Sequence, residues 1–302
     1  MRSHIAQVNI AALRAPLEHD SISDFRNGLD PVNAAGEASP GFVWRLQTDD
    51  GDATSIRVSD DPLNIVNLTV WQSVAALRQF VYAGLHRDFL RRRSEWFSDV
   101  GRRTAVWPVP EGSLPSVDDA LRRLAFIDQF GESPYAYRSV ASSRSADRPV
   151  LVLAEHPLDA TESLQLIAEL NSELLATSAP EERHFSALDA GQVVAGAGQF
   201  VVAWLDGRPV ACGAFRLIGD GTAEVKRMFV RPTARGHKIG AAVLHELETL
   251  AIAAGATRLA LETGARLAPA LTLYDKAGFM PCECWGDYAE AADSVCFEKR
   301  IA

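Results

Sequence analysis

Apolar and polar residues alternate along short stretches of the first half of the chain, and each such stretch predicts a β-strand. These stretches cover residues 4–10, 41–47, 64–71 and 104–110. Helical spacing of apolar residues predicts helices over residues 21–35, 73–84, 86–97 and 116–130, the last with Ser116 as its N-cap. The order β-α-β-β-α-β predicts an α+β domain with a ferredoxin-like sheet and helices on one face.

A stretch rich in Ser, Arg and Ala, with no sustained apolar period, separates this half from the second half. We therefore predict a first domain over residues 1–138, a linker over 139–148 and a second domain over 149–302. The second domain begins with a strand at 149–155 and a helix at 159–176. Asp206–Gly207 and Asp220–Gly221 then separate three apolar runs, which predicts three antiparallel strands joined by tight hairpins.

A glycine-containing turn and a helix follow the third of these strands. Beyond them the pattern predicts a strand at 257–263, a helix at 269–278 and strands at 279–285 and 294–301. The expected fold is a mixed, mostly antiparallel sheet.

Composition narrows the possible partners. The net charge of −9 disfavours nucleic acid, which needs a basic face, and no apolar run is long enough to cross a membrane. The N-terminus shows no signal peptide, so we expect a cytoplasmic protein. Cys212, Cys282, Cys284 and Cys296 lack the spacing of a zinc site, so we expect reduced core thiols and no metal.

The turn after Val230 is the strongest candidate for a ligand site. A loop that leaves a strand and opens a helix directs several backbone N–H groups at one point, and the helix dipole favours an anion there. Gly236 and Gly240 allow close approach, and Arg235 and Lys238 add positive charge. An ordinary turn with solvated charges is the alternative. The glycine spacing fits neither a dinucleotide fold nor a P-loop.

Two separated motifs carry a family resemblance. The segment "AEVKRMFVRPTARGHKIGAAVL" followed by "LALETGARLAPALTLYDKAGF" resembles the acetyl-CoA-binding core of the GNAT superfamily of N-acetyltransferases. Lys238 stands where the first glycine of the family motif is usual. The resemblance implies acetyl-CoA as cosubstrate, with the pantetheine arm lying in a gap between splayed strands. It places the arm beside Met228, Phe229 and Val230, and the pyrophosphate on Arg235, Gly236, His237, Lys238, Ile239, Gly240 and Ala241.

The same resemblance suggests the catalytic groups. Tyr274 lies in "LYDKAGF", where the family commonly has a tyrosine beside the coenzyme sulfur, so we predict it as the general acid. Packing of a helix-face aromatic on the sheet is the alternative. Glu224 lies at the offset of a family base, with a solvated carboxylate as the alternative. Glu262 is the reserve candidate for the base or for binding the amine. Lys226 is expected to be a solvated charge.

The segment 70–97 of the first domain resembles an uncharacterised bacterial domain family with the dimeric α+β-barrel fold, akin to antibiotic-biosynthesis monooxygenases. This resemblance implies a homodimer through the first domain. His86 and the surrounding aromatic residues could form a small-molecule or haem pocket. Core packing with one satisfied histidine is the favoured interpretation.

The sequence therefore predicts an N-acetyltransferase that acts on the amine of a small molecule. The alternatives are an acyl-CoA-responsive binding protein and a fusion with an oxidative first domain. Selectivity for the acceptor is expected in residues 158–192, where no motif identifies it.

Overall fold

A computed structural model describes residues 3–99, 103–140, 149–177, 188–291 and 293–301. The chain divides into two compact units, Met1–Val150 and Leu151–Ala302. Each unit has its own sheet and is described by itself.

The N-terminal unit is built on a four-stranded antiparallel sheet in the order β2-β3-β1-β4. Ser116 caps the last helix through a capping box with Asp119, as its position in the sequence predicts. In chain order the elements are β1 (Ser3–Ala12), α1 (Ser23–Glu37), β2 (Phe42–Arg45), β3 (Asn64–Trp71), α2 (Val74–Val81), α3 (Gly84–Trp96), β4 (Arg103–Pro110) and α4 (Val117–Phe130).

Helices lie on both sides of this sheet. Leu77 of α2 packs with Ile5, Trp71 and Val106 on one side. Arg103, which the alternation of β4 puts on the other side, forms an ion pair with Asp128 of α4 at 2.6 Å. This arrangement differs from the single helical layer predicted. Strand β1 has buried residues on both faces, Ile5 and Gln7 on one and Ala6, Val8 and Ile10 on the other, so each face needs cover.

The C-terminal unit is built on a seven-stranded sheet in the order β10-β11-β9-β8-β7-β6-β5. Only the pair β8 and β9 is parallel, so the sheet is mixed and mostly antiparallel, as predicted. The elements are β5 (Leu151–Glu155), α5 (Thr161–Thr177), β6 (Gly198–Leu205), β7 (Arg208–Gly219), β8 (Thr222–Val230), α6 (Ile239–Ala253), β9 (Arg258–Gly264), α7 (Ala268–Lys276), β10 (Met280–Cys282) and β11 (Ser294–Arg300).

Tight turns and one helix fix the centre of this sheet. Both residues of each Asp-Gly pair have positive φ, which matches the right-handed twist of a two-residue hairpin. Helix α5 covers one face, where its Leu166 and Leu170 pack on Phe200 and Phe229. The hairpins thus place β6, β7 and β8 side by side in the sheet, in the order in which they occur in the chain.

Two of the four cysteines are not free thiols. Cys284 and Cys296 form a disulfide, so the expectation of reduced thiols is wrong for this pair, while Cys212 and Cys282 are free. Cys296 pairs directly with Cys282 across β10 and β11, and Cys284 follows two positions later. Cys296 therefore lies near both cysteines of the C-x-C pair, and it forms its disulfide with Cys284.

The described residues contain neither a membrane-spanning helix nor a cluster of metal-binding side chains. No helix among them is long and apolar enough to span a bilayer. No group of three or more His, Cys, Asp or Glu side chains among them is arranged to hold a metal ion.

Candidate active site

A gap opens in the sheet between β8 and β9. The two strands pair over only four residues each, from Thr222 with Arg258 to Val225 with Leu261. Beyond this point the register of β8 against β7 shifts between Cys212 and Ala214, and Arg227 adopts a φ of 59°. A bulge of this kind bends its strand and increases its twist. The end of β8 therefore turns away from β9.

The edge of β8 that faces this gap is formed by its last three residues. The N–H of Arg231 donates to the carbonyl oxygen of Val210 on β7 at 2.8 Å. Since backbone groups alternate along an antiparallel strand, those of the preceding Val230 point away from β7, toward the gap. The Phe229 side chain is buried under α5, and a Cβ on Gly213 would lie 2.7 Å from the Met228 sulfur. Side-chain packing thus fixes this edge from both faces.

The glycine-containing loop lies where β8 ends and α6 begins. Residues 235–238 are exposed, and Gly236 has a φ of 83°, a conformation that favours glycine. Lys238, the N-cap of α6, is also left-handed, with a φ of 60°. The first helical hydrogen bond runs from the Ala242 N–H to the Lys238 carbonyl. The N–H groups of residues 239–241 therefore precede the helical ladder, as an anion site requires.

The charge of Arg235 is already paired. Its guanidinium donates to both carboxylate oxygens of Glu173 on α5, at 2.7 and 2.6 Å, and its Nε donates to the Val230 carbonyl at 2.9 Å. Arg231 makes a similar bidentate pair with Glu169, one helical turn earlier. These pairs connect α5 to the loop.

Glu224 lies at the start of the gap, and its carboxylate is 1% exposed. Arg216 donates to its Oε2 at 2.5 Å, and the Tyr288 hydroxyl donates to its Oε1 at 2.9 Å. Lys226 Nζ lies 3.5 Å from the same Oε1, and the Lys226 side chain is 8% exposed. The alternatives of a solvated Glu224 and a solvated Lys226 are therefore wrong. Both carboxylate oxygens of Glu224 are thus engaged by neighbouring side chains.

Glu262 is half-buried on β9, two residues beyond Ala260, which pairs with Glu224. Ser294 of β11 donates to its Oε1 at 2.6 Å. Burial raises the pKa of the Glu262 carboxyl, against the smaller effects of Ser294 and Lys226. This carboxyl has the higher proton affinity that a base at neutral pH needs.

Tyr274 of α7 is 5% exposed, and its ring packs 5.8 Å from that of Phe279 and 6.4 Å from that of Phe297. Burial raises the pKa of its hydroxyl, and the nearby Glu262 carboxylate adds to the effect. The hydroxyl makes no hydrogen bond to the described part of the chain. A tyrosine with a raised pKa keeps its proton at neutral pH and can donate it.

The structure thus brings Glu224 and Glu262 together at the gap and couples Tyr274 to Glu262. His237 is exposed on the loop. Arg216, Tyr288 and Ser294, which contact the two carboxylates, were not predicted from the sequence. The two-residue Asp220–Gly221 turn is a signal that could have paired Arg216 with Glu224. Residues 178–187 of the expected acceptor region lie outside the described residues.

Comparison with known proteins identifies this unit. The model of the acetyltransferase (GNAT) family matches residues 163–279. The IAA acetyltransferase of Azospirillum brasilense is 40% identical over 154 residues, which are 50% of this chain and 98% of that protein. The chain belongs to the GNAT family. Its C-terminal unit is an acetyl-CoA-dependent N-acetyltransferase domain, as the two sequence motifs predict.

Other relatives are more distant. The uncharacterized N-acetyltransferase YsnE of Bacillus subtilis is 33% identical over 104 residues, which are 34% of this chain and 69% of that protein. The PaiA N-acetyltransferase of Thermoplasma acidophilum, solved in complex with coenzyme A, is 16% identical. That alignment covers 50% of this chain and 98% of that one, with a TM-score of 0.39. The N-terminal unit matches a domain of unknown function, DUF3291, over residues 4–150.

Proposed function

We propose that this GNAT domain transfers the acetyl group of acetyl-CoA to the amine of a small molecule by direct attack. The observation that supports this best is the gap beside Val230, which ends at the N-terminus of α6 and has Glu262 and Tyr274 near its start. Backbone groups of Met228 and Val230 would hold the pantetheine arm on either side of Phe229. The loop from Arg235 to Ala241 would hold the pyrophosphate.

Glu262 is the base that the geometry favours over Glu224. It takes a proton from the amine as the nitrogen attacks the acetyl carbonyl carbon. The carbon–sulfur bond then breaks, and Tyr274 gives its hydroxyl proton to the departing sulfur. Glu224 has a structural role in this proposal, because its ion pairs hold the Arg216 and Lys226 side chains in place.

The test is free-thiol release from acetyl-CoA across a panel of small amines. Transfer to at least one amine, reduced much more by Glu262→Gln than by Glu224→Gln, is the expected result. Tight coenzyme binding with no thiol release from any amine would instead indicate an acyl-CoA-responsive binding protein.

For the N-terminal unit we propose the ferredoxin-like fold, which the antiparallel order β4-β1-β3-β2 supports. A homodimer through this unit stays a prediction. Because α4 lies on the side of the sheet opposite α2, a dimer formed by pairing open sheet faces would have to displace α4. Light scattering on the full chain measures the oligomeric state.

The contacts of His86 favour packing over a ligand pocket. Its Nδ1 lies 3.0 Å from the Val81 carbonyl oxygen, and its ring centroid lies 4.6 Å from that of Phe80. Burial lowers the pKa of the imidazole. These contacts use one ring nitrogen and one ring face for the fold itself. An absorption spectrum of the purified protein tests for haem or flavin.

A further inference from the structure

A short segment between β10 and β11 brings Tyr288 to the catalytic sheet. Tyr288 ends a 3-10 helix, Gly286–Tyr288, and its ring packs edge-on against Trp285 at 5.7 Å between centroids. Its hydroxyl oxygen lies 2.6 Å from Lys226 Nζ and 2.9 Å from Glu224 Oε1. Residues 62 and 64 positions earlier in the chain are thus its partners.

The direction of these hydrogen bonds follows from the chemistry of the groups. An ammonium group can only donate and a carboxylate can only accept, so the hydroxyl accepts from Lys226 and donates to Glu224. The direct separation of Lys226 Nζ and Glu224 Oε1 is 3.5 Å, longer than either bond through the hydroxyl. Tyr288 is therefore the closer link between these two charges.

Lys226 lies where the gap between β8 and β9 begins. It is the first residue of β8 after the parallel pairing with β9 ends at Val225. Its charge acts on Glu262, as does that of Glu224. A change in the position of the ammonium group would therefore change the electrostatic field at the proposed base.

We propose that Tyr288 is a positioning residue for acetyl transfer, which holds the Lys226 ammonium between Glu224 and the gap. The proposal rests on the proposed function, because the reaction it serves is amine acetylation. Tyr288 lies outside the segment that matches the family model, which ends at residue 279. The hydroxyl acts through Lys226 and Glu224 and need not touch the acetyl group.

The experiment compares Tyr288→Phe with the unchanged chain and with Tyr82→Phe, a control on the exposed Tyr82 of the N-terminal unit. Loss of hydrogen bonds to two charged groups is expected to lower kcat by about tenfold or more. The KM for acetyl-CoA is expected to stay unchanged, and the thermal midpoint is expected to fall by a few degrees, because two buried charged groups each lose a hydrogen bond. An unchanged kcat, or an equal loss in both variants, would overturn the proposal. A lower midpoint together with a raised KM for acetyl-CoA would also overturn it, since it would indicate a general packing role.

A second measurement does not depend on activity. The chain has four lysines, so the side-chain ε-methylene NMR signals of carbon-labelled lysine are few, and Lys226→Arg identifies the signal of Lys226. Tyr288→Phe is expected to shift this signal and to leave the other three in place. An unmoved Lys226 signal refutes the contact even if no amine is acetylated. A shifted signal without acetylation of any amine counts against the proposed function, and in that case Tyr288 positions no catalytic group.

Discussion

Replacement of Tyr274 by phenylalanine separates chemistry from packing. The hydroxyl has no hydrogen-bond partner in the described part of the chain, and the ring packs against Phe279 and Phe297. Removal of a hydroxyl that bonds to no described residue costs little, so the free energy of unfolding should change by less than about 1 kcal/mol. The ring contacts remain in the variant.

Activity should respond very differently. General acid catalysis by a positioned side chain contributes roughly 10²- to 10⁴-fold, so kcat of Tyr274→Phe should fall by about a hundredfold or more. That fall corresponds to about 2.7 kcal/mol in the activation free energy. Because the hydroxyl acts on the departing sulfur, the affinity for acetyl-CoA should stay close to that of the unchanged chain.

The assay measures thiol release at saturating acetyl-CoA and amine, with calorimetry for coenzyme affinity and urea unfolding for stability. A variant with full kcat would refute Tyr274 as the acid. A variant with lower stability and lower affinity in equal measure would assign Tyr274 to packing, the alternative that the sequence leaves open.

Three further predictions concern single groups. Since burial raises the pKa of Glu262 and a base must be deprotonated, kcat/KM should rise with pH through that raised pKa, and Glu262→Gln should abolish this rise. The native state binds the Glu262 proton more tightly than the unfolded state does, so the free energy of unfolding should fall as pH rises through the raised pKa. Urea titrations should show a smaller fall in Glu262→Gln. Lys238→Gly relieves a left-handed residue and should stabilise the fold by about 1 kcal/mol, whereas Lys238→Ala, which keeps a Cβ, should not; no difference in urea midpoint would contradict this. The disulfide Cys284–Cys296 closes the segment that carries Tyr288, so Cys284→Ser, or reduction by a dithiol, should lower kcat as Tyr288→Phe does. Cys282 is a free thiol, so Cys282→Ser should leave kcat unchanged.

Local pattern predicted most of the fold. The two Asp-Gly turns and the alternating runs around them fixed β6, β7 and β8, because hairpin geometry is set by residues adjacent in the chain. The glycine loop and the start of α6 follow from the same local rules. The cover on the second face of the N-terminal sheet was not predicted, because alternation in β1 suggests one polar face, yet Gln7 on that face is buried.

The charges of the site were harder to predict. The environment of Glu224 depends on Tyr288, 64 residues later, and no spacing rule relates two such positions. Burial of Lys226 and the raised pKa of Glu262 depend on three-dimensional packing around the gap. The disulfide was not predicted, because the cysteines were expected to be reduced in the cytoplasm. The cross-strand register that brings Cys296 close to the C-x-C pair is not visible in the sequence.

The short parallel seam between β8 and β9 has a mechanical consequence. Among the described residues, the register between β8 and β9, where the strands β5–β8 meet the strands β9–β11, covers four residue pairs. An arm that bonds to Val230 from within the gap would extend this seam, so the ligand would act as a missing length of strand. The cosubstrate would then stiffen the enzyme that consumes it, and each release of product would return the sheet to its looser form.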